Sequence, residues 1–95
     1  MEIREVVEKH LQAAIEGKMD VVIGDLIPEL VPVVQGLAPK LGEVQPQSFE
    51  ILEERTEGET MVVRFALIGK QRLVVEDTWK EIEGVWKVVK VQPIE

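Results

Sequence analysis

The sequence predicts an α+β domain in which N-terminal helices pack on a curved four-stranded antiparallel sheet. Three observations predict it. Residues 1–46 carry helical periodicity, residues 47–92 alternate with the period of two expected of strands, and three short glycine-containing turns divide that second half. Helices first and strands afterwards is the order of an α+β fold, and 95 residues make one domain.

The first helix is expected over about 2–16. At 100° per residue Ile3, Val6, Val7, His10, Leu11 and Ala14 share one arc, with Glu5, Glu8, Lys9, Gln12 and Glu16 opposite. Glu5 and Lys9 are spaced to attract one another, worth about 0.3 kcal/mol. Gly17 suits the left-handed residue that closes a helix. A short second helix is expected over about 20–26, capped by Asp20 and ending before Pro28. Pro28 and Pro32 fit only the first turn of a helix, so a third is expected over about 30–38, followed by a loop to Pro46.

Strands are expected over about 47–55, 60–68, 72–80 and 85–92. The turns between them, TEGE, GKQ and EIEG, each hold a glycine (Gly58, Gly69, Gly84) expected to supply positive φ. In the second strand Met61, Val63, Phe65 and Leu67 face one way, and in the third Leu73, Val75, Asp77 and Trp79 do. Val85, Val89 and Val91 of the last strand are expected opposite Trp86 and Val88. The second face, with Val62, Ala66, Ile68 and Val74, is also apolar enough to predict cover by another copy of the sheet, hence a homodimer.

Bulk composition narrows the function. A net charge of −7, with Lys and Arg scattered among acids, excludes a nucleic-acid binder. No cysteine and a single histidine exclude thiolate chemistry, a disulfide and a histidine-rich metal site, and no cofactor motif is present. The most apolar run, VVIGDLIPELVPVVQGL, is too short and too broken to span a bilayer, and the charged amphipathic start does not resemble an export signal. A soluble cytoplasmic protein is expected.

Two stretches carry a family resemblance: AAIEGKMDVVIGDLIPEL (13–30) after the opening helix, and VEDTWKEIEGVWKVVKV (75–91), with its W-x-x-x-x-G-x-W-K-V-V ending. Together they resemble the NTF2-like superfamily of cone-shaped, cystatin-like α+β domains. The resemblance implies a curved sheet around the helices, a pocket between the first helix and the concave face, and dimers through the sheet. With no tyrosine, the tyrosine-dependent chemistry of the steroid-isomerase branch does not carry over. Asp77 stands near the place where that branch sets a strand carboxyl.

The candidate pocket residues are His10, Ala14, Phe65, Val75, Asp77 and Trp79. Asp77 shares an apolar strand face, where burial would raise its pKa and make it a general acid or base. Alternatively it sits at a rim, or pairs with Arg64 or Lys90. His10, central in the apolar arc, either bonds a ligand, couples with Asp77, or is a core histidine satisfied by one oxygen. Arg64 is expected to pair with Glu76, and EERTEGE (53–59) to be a solvated hairpin tip rather than a calcium loop. Three functions follow: a homodimeric scaffold with a pocket for a small hydrophobic molecule, an isomerase- or dehydratase-like enzyme using Asp77 and His10, or a protein-interaction module using the outer sheet face.

Overall fold

A computed structural model describes residues 2–94. Helix α1 spans Ile3–Glu16 and turns its Val7, His10 and Leu11 inward. It ends on Gly17, at φ 75°, where the N–H groups of Gly17 and Lys18 cap the carbonyls of Ala14 and Ala13. On its exposed side the ion pair formed is Arg4–Glu8, at 3.4 Å, rather than one between Glu5 and Lys9.

Helix α2 covers Met19–Gly24, so Asp20 lies in its first turn and not at its N-cap, which is Lys18. Residues 25–27 leave the helix because they pair elsewhere. Val88 N–H donates to the Asp25 carbonyl at 2.7 Å, and Ile27 N–H donates to the Val88 carbonyl at 3.1 Å. The helix expected over 30–38 is instead three pieces: a 3-10 turn at Pro28–Leu30, α3 over Val31–Gly36 and α4 over Ala38–Val44. Pro39 has no N–H to continue a helix begun at Val31, but it fits the first turn of a new one. The stretch expected as a loop to Pro46 is therefore mostly α4, which stops at Gln45 with φ 48°.

The sheet is a meander of four antiparallel strands, β1 (Ser48–Glu57), β2 (Thr60–Ile68), β3 (Arg72–Ile82) and β4 (Val85–Pro93), in the order β1-β2-β3-β4. Glu83 and Gly84 both have positive φ, 52° and 81°, which makes the last connection a two-residue turn and carries β3 to Ile82, beyond expectation. Gly58 has the expected positive φ. Gly69 does not. There a Cβ would collide with the carbonyls of Val44 and Gln45, and Lys70 N–H donates to Val44 O at 2.7 Å. Glycine at 69 thus lets the β2–β3 turn press on the end of α4.

Register shifts interrupt β1 between Ile51 and Glu53 and β4 opposite Thr78/Trp79. The second is a bulge at Val89, which places Trp86, Val88 and Val91 on one face instead of dividing them as simple alternation requires. Bulges and twist bend the sheet, and its concave side receives Val63, Phe65, Leu67, Leu73, Val75, Trp79 and Val88 in one core with Val7, Leu11, Val22, Val34 and Val44 from the helices and Leu26 from the segment after α2.

The outer face departs from the reading of a surface too apolar to stay wet. Val62, Ala66 and Val74 are already buried within a single chain, at 3%, 0% and 4% exposure. Arg55 and Glu50 stand opposite Val62 and Ala66 in the β1–β2 register, and long charged side chains cover apolar neighbours with their stems. Their charged ends form a lattice in which Glu76 meets Arg64 at 2.9 Å and Arg55 at 3.5 Å. Burial opposes the charge on Glu76, but the hydrogen bonds from Arg64 and Arg55 outweigh it and hold its pKa below the ordinary value. No helix among the described residues is long and apolar enough to cross a membrane.

Candidate functional site

Between α1 and the concave sheet lies a cavity of about 60 Å³. Its walls are aliphatic and aromatic, including Leu11, Ala14, Leu26, Leu41, Phe65 and Val75, and its polar end is formed by His10 and Asp77. Five of the six residues expected to line a pocket do so: His10, Ala14, Phe65, Val75 and Asp77. Trp79 stands behind the wall. It is wholly buried and meets the His10 ring edge-on, centroids 5.1 Å apart at 87°.

Asp77 is on the inner face of β3, between Val63 and Val91 of the neighbouring strands. It therefore cannot reach the outer-face Arg64, which pairs with Glu76 as expected. Burial pushes the Asp77 carboxyl up to about 7, with the nearby His10 pulling the other way. His10 Nε2 lies 3.8 Å from Asp77 Oδ2, beyond a direct hydrogen bond.

The other face of the imidazole is satisfied. His10 Nδ1 is 2.9 Å from Asp25 Oδ2. An ionised carboxylate only accepts, so Nδ1 carries a proton and donates it. Sequence reasoning did not single out Asp25. The available signal was an acid inside the apolar run VVIGDLIPEL, just where α2 ends. Its place is fixed by the backbone clasp with Val88 and by Lys87, whose Nζ donates to Gly24 O at 2.6 Å. Val88 itself lies opposite Trp79 in the sheet, so one strand pair holds both neighbours of His10.

Asp25 also lines a separate, larger cleft of about 290 Å³, with Val6, Lys9, Glu81 and Trp86. The imidazole thus stands between an outer cleft and an inner cavity, with Asp25 on one side and Asp77 on the other. The described residues contain no cluster of His, Asp or Glu suited to a metal ion. In chemical terms the site offers an apolar chamber whose polar end, His10 and Asp77, can accept or donate a hydrogen bond.

No protein-family model and no curated protein sequence matches the chain. Among solved structures, it is similar to the solution structure of a SEC-C motif containing protein from Rhodopseudomonas palustris, with a TM-score of 0.68 and 12% sequence identity. The match covers 95% of this chain and 77% of that one. At that identity the likeness concerns the fold alone.

Proposed function

We propose that the chain is a short NTF2-like domain that binds a small, largely apolar molecule between α1 and the sheet. The observation that carries this reading is the aliphatic cavity closed at one end by His10 and Asp77. A ligand pocket is typically apolar with a few converging polar groups, and a buried carboxyl facing an imidazole across 3.8 Å is the unusual member here. Thermal-shift measurement tests it. Small apolar molecules should raise the melting temperature progressively with concentration, and Ala14→Leu, which fills the chamber, should abolish the rise. A rise that survives Ala14→Leu would place binding elsewhere.

A second reading is a catalyst of proton transfer, isomerase- or dehydratase-like, with Asp77 as the base. The Asp25–His10–Asp77 arrangement favours it, because a carboxyl titrating near neutrality beside an oriented imidazole suits general acid–base work. Asp77→Asn separates the two. A catalyst loses turnover with that change, whereas a binding scaffold keeps its ligand.

The homodimer and the interaction module both relied on an outer face in need of cover. With Val62, Ala66 and Val74 already buried within a single chain, their apolarity alone does not call for a partner. Self-association through this face becomes an outcome for light scattering to decide.

A further inference from the structure

We propose that the cavity selects a hydroxyl: its ligand is a small neutral alcohol whose oxygen bridges His10 and Asp77, and Asp25 is the positioning residue that sets this preference. The inference rests on the reading of the cavity as a ligand site and names the ligand's chemistry.

The argument is one of donors and acceptors. Asp25 engages Nδ1 at 2.9 Å, which leaves Nε2 as the only ring nitrogen directed at the chamber. Nε2 and the facing carboxyl oxygen are 3.8 Å apart, and a single proton shared by the pair has two placements. If the proton is on Asp77, the carboxyl donates and Nε2 accepts. If it is on Nε2, the nitrogen donates and the carboxylate accepts. Either placement presents the cavity with one donor and one acceptor, set too far apart to satisfy each other and close enough for a single oxygen to touch both.

A hydroxyl, which donates and accepts through the same atom, completes that pair. A ketone or ether oxygen only accepts, and it leaves the facing acceptor buried and unanswered. An ammonium only donates, and it leaves the donor unanswered. The rest of the molecule must be apolar, because Leu26, Leu41, Phe65 and Val75 offer it nothing else. It must also be small: about 60 Å³ holds roughly four to six water-sized groups, the size of a four-carbon alcohol.

Three probes of matched size test this on the intact chain: butan-1-ol, butanone and diethyl ether. Each is titrated while the amide and His10 ring signals are followed by NMR. Butan-1-ol should bind at least tenfold more tightly than the other two. The preference should vanish in Asp77→Leu and in His10→Gln, of which at least one should keep the fold, while apolar binding persists. In Asp25→Leu the Nδ1-protonated form of His10, read from its ring ¹⁵N shifts, should give way to a mixture of tautomers, and the alcohol preference should shrink. Conservative Asp25→Asn, whose amide oxygen still accepts from Nδ1, should restore both. Equal binding of the three probes would overturn the hydroxyl assignment and leave the cavity reading standing. No binding of any probe would overturn both, and an alcohol preference unchanged in Asp77→Leu would place the selecting group elsewhere.

Discussion

His10 on α1 and Asp77 on β3 face each other across 3.8 Å at the polar end of an aliphatic chamber. Neither is left there by poor packing. His10 is gripped by Asp25 on one side and by the Trp79 ring on another, so its orientation is fixed before any ligand arrives. Asp77 faces the imidazole beyond direct hydrogen-bond distance, and its burial is a cost that the rest of the core must offset.

That cost gives stability a distinctive pH dependence. The Asp77 carboxyl titrates near 7 when folded and near 3.8 when unfolded, so between those values the folded chain holds more protons. The contribution of this group is therefore most favourable below about pH 4 and is lost as pH rises through 7, a difference of the order of 4 kcal/mol. Asp77→Asn should raise stability by about 2–4 kcal/mol at pH 8 and change it little at pH 4. Urea unfolding of both proteins across that range checks it.

The two tryptophans should separate sharply on substitution. Trp79 is wholly buried and supports the His10 ring, so Trp79→Ala should cost about 3–5 kcal/mol. Trp86 is half-buried at the wall of the outer cleft, and Trp86→Ala should cost about 1 kcal/mol. Denaturation curves followed by circular dichroism compare them directly.

How far the sequence could be read follows from where the physics is local. The inward side of β2 and β3, with Phe65, Val75, Asp77 and Trp79 together, was legible because alternation decides a regular strand face. The face of α1 that carries His10 was legible for the same reason with a helical period. Val91 was grouped with Val85 and Val89 instead of with Trp86 and Val88 because a bulge breaks alternation and leaves no mark in composition. Asp25 was missed because its role depends on a clasp with a strand more than sixty positions away, and the outer valines were misjudged because their cover comes from the stems of residues counted as charged.

Gly69 gives a prediction of a different kind. Since a methyl group there would strike the Val44 and Gln45 carbonyls, which are backbone and cannot swing aside, Gly69→Ala should destabilise by at least about 2 kcal/mol. Gly58 and Gly84 meet no atom at the corresponding position, so alanine there adds only the strain of positive φ, about 1 kcal/mol. Parallel thermal melts of the three variants rank them.

Light scattering addresses the outer face. Because the outer valines are already buried within a single chain and the Glu76 ion pairs share their face, the chain is expected to run as a single copy at micromolar concentration. A dimer disrupted by Glu76→Lys would return the sheet face to use as an interface.

The most direct test is the titration of the Asp77 side-chain carboxyl carbon by ¹³C NMR. The account predicts a midpoint near 7, moving higher in His10→Gln as the attraction of the imidazole is removed. A midpoint in the ordinary carboxylate range near 3.9, unmoved by that substitution, would contradict it.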